Sequence, residues 1–293
     1  MLHPIYALRS QGHEAEYNAQ LAREALQDFF GALPGGQKDY EEAIRQMALY
    51  LYGTAVQKAG KRFFLDKSPR YYLILSDLAR ILPQAKFILL FRNPLAVLNS
   101  ILNSSVKGRW VLLARFKNDL LLAPQLLLEA ADSMPDRVYV VHYEELVTEP
   151  QEQVAAMCSW LGLPYQSQML EYGRKPPPQG AMGDPSTVQK YSLPSTDRLN
   201  NWMGIARDPQ TRHFAHSYLQ ALGPELVGCL GYNYADLDRQ LASVPAAAGD
   251  ISLSWEQLFN PDPAMKNELK YAELAMLEKR RLAHWLRHMF KRK

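Results

Sequence analysis

In the stretch KFILLFRNPLAVLNSI, residues 86–101, an arginine closes an apolar run and a serine follows it eight positions later. Both residue types bind anions. The guanidinium of Arg92 is a planar fork of donors that matches phosphate oxygens, and Ser100 supplies a hydroxyl. Between them, Asn93 can cap a helix, and Pro94 suits its first position, where the missing N–H costs nothing. A helix starting there aims free N–H groups and its positive end at the strand edge, which favours an anion. Ser100 then falls on nearly the same helix face as the cap. The bland alternative is a strand, a surface arginine and an ordinary capped helix.

The elements that would position these residues can be read from periodicity. Phe87–Phe91 is a short continuous apolar run, the pattern of a strand buried on both faces of a parallel sheet. Before it, residues 62–65 read as a short strand delivering Asp66, Lys67 and Ser68, and Pro69 starts a helix through Arg80. After it come a helix over 94–105, a long helical region over 109–134 with a bend expected at Pro124, and a strand over 137–142. Glu149 and Pro150 open a further helix that ends at Gly162. This alternation argues for an α/β fold, a parallel sheet with helices on both faces. Upstream, helices over 14–31 and 38–60 are separated by the breaker LPGGQ. Downstream, a Pro-, Gly- and polar-rich loop runs from Gly173 to Ser195, and a loop that long in a compact domain is read as functional. A helix over 210–230, the tetrapeptide GYNY at 231–234 and a small-residue linker at 242–250 follow. The expected division is a main domain over 1–242 and, over 243–293, a linker with a basic C-terminal helix.

Composition narrows the class. The 293 residues, 47% of them hydrophobic, can bury a large core. The net charge of +3 is uneven: Lys279–Lys293 holds seven basic residues and no acid, which leaves 26 basic against 30 acidic residues elsewhere. Nucleic-acid binding has only that tail behind it, and none is expected. Cys158 and Cys229 lie in apolar helical contexts without metal-ligand spacing and read as core thiols. His213 and His216, an isolated i, i+3 pair, read as a helix surface, and no metal is assigned. No run reaches the length of a transmembrane helix and no signal peptide is evident, so the expectation is a soluble cytoplasmic protein. No feature specifies an oligomeric state.

The phrase RNPLAVLNS resembles the 3′-phosphate-binding element of sulfotransferases that use 3′-phosphoadenosine-5′-phosphosulfate (PAPS). Upstream, LDKSPRYYLILSDLARILPQAKFILLFRNP resembles the lysine-containing segment, helix and strand of that family. VYVVHYEELVTEP resembles its later strand and YE(D/E)L turn, and Ser186–Gly204 its late substrate and nucleotide loop with a closing Trp-x-Gly. The resemblance covers roughly residues 60 to 235 and is nearest the bacterial and tyrosylprotein-type branch. It implies a P-loop-NTPase-like parallel sheet and sulfuryl transfer from PAPS, with PAP as product, to a hydroxyl or phenol acceptor. Flanking aromatics and the variable loop suit a carbohydrate, a tyrosine-containing peptide or a small metabolite alike. Arg92 and Ser100 would hold the 3′-phosphate, and Tyr143 would pack on or near the adenine. Lys190 would serve the 5′-phosphate or the substrate, and Ser186 would touch the nucleotide or transition state. Lys67 would stand by the bridging oxygen, replacing a metal as the electrostatic catalyst; a solvated lysine after a strand is the competing reading. Glu14 is the positional candidate for the base, with His13 as the alternative, and both also suit a plain helix start.

The family's glycine-rich loop of the R-S-G-T-T type would lie roughly twenty residues before a His-Pro pair, which here is His3-Pro4. The sheet is therefore expected to lack its first strand and that loop, either through a truncated start or through a true loss. Donor binding would lose several charge-assisted hydrogen bonds of about 1.5–3 kcal/mol each, so the sulfotransferase activity of this chain is expected to be impaired, weak or absent. The second functional expectation is a non-catalytic module of the same fold, acting through the basic C-terminal helix; that helix is expected first to dock on the body with its charges in water, ahead of lying on an anionic membrane surface or meeting an acidic partner.

Overall fold

A computed structural model describes residues 19–171 and 191–272 of the chain. They divide into two compact units, one before and one from Lys86.

The first unit is helical. Helix α1 spans Ala19–Gly31 and α2 spans Gln37–Ala59; between them the chain turns at Gly36, whose φ of 61° favours a residue without Cβ. Gly60, also left-handed, terminates α2 and donates its N–H to Gln57. Residues 62–68 then run without regular structure. The strand expected over 62–65 does not form: among the described residues no strand pairs with it, and Phe63, Phe64 and Leu65 are exposed. The helix expected from Pro69 begins as a 3₁₀ turn, Tyr71–Ile74, and continues as α3, Leu75–Ile81.

The second unit holds the sheet. Strand β1 (Phe87–Phe91) and strand β2 (Val138–His142) lie parallel and in register from the Phe87–Val138 pair to the Phe91–His142 pair. Parallel neighbours need a long crossover. It is supplied here by α4 (Pro94–Ile101), a π turn (Leu102–Val106), a 3₁₀ turn (Trp110–Phe116), another π turn (Asn118–Leu122) and α5 (Ala123–Ser133). Pro124 falls in the first turn of α5 and starts that helix. After β2 come α6 (Tyr143–Thr148) and α7 (Pro150–Leu161), the latter closed by left-handed Gly162. The fold is α/β and rich in helix.

The core of this unit lies between α4 and the later helices α8 (Pro209–Cys229, broken at Gly223 before Pro224), α9 (Tyr234–Ser243) and α10 (Trp255–Phe259). Leu95 and Leu98 of α4, Phe214 and Leu219 of α8, and Leu258 of α10 are fully buried. Trp255 packs its ring 5.8 Å from that of Tyr218, and the buried amide of Gln210 ties down the chain at Ser252 and Leu253. Cys158 is buried as expected, but Cys229 is exposed at the end of α8. His213 accepts the Trp255 N–H at 3.2 Å, and His216 lies 3.2 Å from Asp238, so both histidines serve packing between helices. No helix among the described residues is long and apolar enough to cross a membrane.

Because Leu98 seats α4 in the core, Leu98→Ala is expected to lower unfolding free energy by about 2–5 kcal/mol, read from urea denaturation. A loss below about 0.5 kcal/mol would show that α4 is not anchored there.

Candidate functional site

The two parallel strands end side by side, so the residues that follow Phe91 and His142 emerge together. They are Arg92 and Tyr143. The Arg92 guanidinium carbon lies 4.1 Å from the centre of the Tyr143 ring, a cation–π contact that holds the fork over the aromatic face. Arg92 Nε is buried and has no hydrogen-bond partner among the described residues. A buried charged donor left open is costly, and an anionic acceptor is what would satisfy it.

Asn93 caps α4 as expected: its side-chain oxygen accepts the Leu95 N–H at 2.9 Å. Its own N–H, however, donates to Glu144 Oε1 at 3.0 Å. The other oxygen, Glu144 Oε2, accepts the Tyr232 hydroxyl at 2.7 Å. The positive end of α4 is thus already complemented by a protein carboxylate and a side-chain cap. The free helix N–H groups expected to face an anion are largely taken, which leaves the Arg92 side chain as the open donor at this junction. Ser100 is exposed near the far end of α4, about 10 Å along the axis from Asn93 at the usual helical rise.

Glu144 and Tyr232 escaped the sequence reading, although YEEL and GYNY were both noticed. The missing signal was the pairing of two motifs distant in sequence. It is reinforced just upstream of both residues, where left-handed Gly231 (φ 88°) leaves room for His142: a Cβ there would stand 2.8 Å from His142 Nε2. His142 Nε2 also lies 3.1 Å from the Leu230 carbonyl. Burial first, then the hydrogen bond to Glu144, pushes the Tyr232 phenol well above its ordinary value, while the Arg92 charge pulls it back. Arg92, Glu144 and Tyr232 are therefore one electrostatic cluster. Beside it, a cleft of about 330 Å³ is lined by Asn93, Glu144, Asn200, Trp202, Tyr232 and Asp236 among others. Trp202 of the expected Trp-x-Gly is buried in the 3₁₀ turn Asn201–Ala206.

Lys67 belongs to the first unit, where it is exposed in the irregular stretch after Asp66. Ser195 accepts the Asp197 N–H in a local turn. His13, Glu14, Ser186 and Lys190 lie outside the described residues, as does the basic stretch 279–293.

The profile of the sulfotransferase family matches residues 2–167, more than half of the chain. The chain belongs to the sulfotransferase family. The match includes Lys67, Arg92, Ser100, Tyr143 and Glu144. Among individual relatives, Nodulation protein NoeE of Sinorhizobium fredii is 28% identical over 177 residues, 51% of this chain and 39% of that protein. A putative protein-tyrosine sulfotransferase of Caenorhabditis elegans is 25% identical over 57% of this chain and 64% of its own length. Protein-tyrosine sulfotransferase 1 of Danio rerio is 26% identical over 48% and 42% respectively. The aligned stretches thus span less than two thirds of each relative. Among solved structures, a sulfotransferase domain from the curacin biosynthetic pathway aligns with a TM-score of 0.37 at 24% identity, over 58% of this chain and 64% of that one.

The raised Tyr232 phenol has a measurable consequence in this family member. A phenol whose folded-state pKa lies above the unfolded 10.0 stabilises the fold fully below pH 10, and that contribution is lost as pH rises further. Tyr232→Phe is expected to make the alkaline fall in urea stability shallower by up to one proton, less the solvent screening of a partly exposed group. An unchanged slope would show that the Tyr232 proton is not held by this cluster.

Proposed function

We propose that this chain transfers a sulfuryl group from PAPS to a hydroxyl or phenol acceptor, with Arg92 as the primary holder of the donor's 3′-phosphate. The observation that carries the reading is the buried Arg92 Nε above Tyr143, without a hydrogen-bond partner among the described residues and inside the stretch that matches the sulfotransferase family. The residues suit an anionic nucleotide: the guanidinium supplies fixed donors, and the Tyr143 ring holds its plane so that little freedom is lost on binding. Glu144 supports the arrangement from behind. Its carboxylate is occupied by Asn93 and Tyr232, which limits its repulsion of an incoming phosphate. Ser100, on the helix that follows Arg92, is the proposed second contact to the 3′-phosphate.

PAPS supplies a sulfuryl group on a good phosphate leaving group, so the protein must orient the acceptor oxygen in line, remove its proton and stabilise negative charge. Lys67 is proposed for the last of these, Glu14 or His13 for the proton, and Ser186, Lys190 and Tyr143 for contacts to the nucleotide or the transferring group. Two of the relatives are named as protein-tyrosine sulfotransferases, which supports a phenol among the acceptor classes. No step in this scheme calls for a metal.

Isothermal calorimetry with PAP tests the donor site. Arg92→Ala is expected to weaken PAP binding by about ten- to a hundredfold, the loss of a charge-assisted phosphate contact. Binding as tight as the parent's would overturn the assignment.

A further inference from the structure

Residues 62–68, which carry Lys67, have no sheet partner among the described residues, and burial does not hold them: Phe63, Phe64 and Leu65 are 54%, 47% and 83% exposed. Yet the stretch is pinned at one point from both sides. Tyr52 of α2 stacks its ring on Phe64, with centres 4.2 Å apart and planes 10° from parallel. Its hydroxyl donates to Asp66 Oδ2 at 2.5 Å. Tyr71, which opens the following 3₁₀ turn, donates its hydroxyl to the same oxygen at 2.6 Å. The Tyr71 N–H meets the Ser68 carbonyl at 3.4 Å, closing the turn on the other side of Lys67. Both neighbours of Lys67 are therefore held, while its side chain stays exposed.

We propose that Tyr52 and Tyr71 are positioning residues that clamp Asp66 and thereby fix the peptide from which Lys67 projects. The inference rests on the proposed role of Lys67 and adds the device that aims it. An exposed lysine on an unpaired loop samples many positions, and electrostatic stabilisation of a transition state requires a charge that is already in place. Two phenols sharing one carboxylate oxygen supply short, charge-assisted hydrogen bonds that a loop of this kind otherwise lacks. They arrive from α2 upstream and from the turn downstream, so the loop is tied at its centre to both flanking elements. The bond to Asp66 is also the main reason that both phenols are pushed above their ordinary value.

The test compares the full-length protein with Tyr52→Phe, Tyr71→Phe and the double variant, each of which keeps the ring and removes only the hydroxyl. Digestion by a lysine-specific endoprotease reads the clamp directly, because cleavage after Lys67 requires the loop to leave its position. In the double variant that cleavage is expected to accelerate by about five- to thirtyfold, with the single variants between and cleavage after Lys86 unchanged. In sulfuryl-transfer assays, kcat is expected to fall about tenfold or more while KM for PAPS holds, the split expected of a misplaced transition-state charge rather than a damaged fold. Parental cleavage after Lys67 in the double variant would overturn the clamp. Parental turnover in Lys67→Ala would overturn the role of the lysine instead, and the two failures are distinguishable because proteolysis does not depend on catalysis.

Discussion

One carboxylate joins the parts of the second unit that converge on the candidate site. Glu144, immediately after β2 and Tyr143, accepts the backbone N–H of Asn93 with one oxygen and the hydroxyl of Tyr232 with the other. The junction after β1, the junction after β2 and the GYNY segment after α8 are thereby held to a single point. Arg92 follows β1 and precedes Asn93, and Tyr143 follows β2 and precedes Glu144. Their cation–π contact follows from strand register and is locked by the hydrogen bonds one residue farther on. A carboxylate in this position also neutralises the start of α4. The site's remaining positive potential is then concentrated on one side chain, which favours a ligand whose anionic group arrives where Arg92 can meet it.

The two units use the same device in different settings. In the second, a half-buried tyrosine–glutamate bond fixes the backbone beside an arginine; in the first, two tyrosines bond to an aspartate beside a lysine. In each case the cation itself is not consumed by an ion pair with the acid next to it, because phenol hydroxyls and a backbone N–H satisfy that acid instead. A site for a polyanionic ligand benefits from such separation: acids can organise the backbone without quenching the cations.

Much of this was legible from local sequence. The β1 run, the Asn93 cap with Pro94 behind it, and the stop at Gly162 follow from short-range rules, and all appear where those rules put them. The motif RNPLAVLNS puts Arg92 at a strand-to-helix boundary, and that boundary lies where the motif predicts it. What could not be read was non-local. Nothing near YEEL indicates that its first glutamate reaches Asn93, and nothing near GYNY indicates that its tyrosine caps that glutamate. The supposed strand at residues 62–65 failed for the same reason: an apolar run becomes a strand only when another strand lies beside it. Cys229, in an apolar context, is nevertheless exposed, since average hydrophobicity does not say which way one side chain at a helix end points.

The central claim is that Arg92 reads the 3′-phosphate of a nucleotide. The most direct measurement is the ratio of dissociation constants for PAP and for adenosine 5′-monophosphate, taken in the parent and in Arg92→Lys, because the two ligands differ only in that phosphate. The expected result is a preference for PAP of about tenfold or more in the parent that shrinks severalfold in the variant, since lysine keeps the charge but loses the fork. Equal preference for PAP in both proteins, or none in the parent, would contradict it.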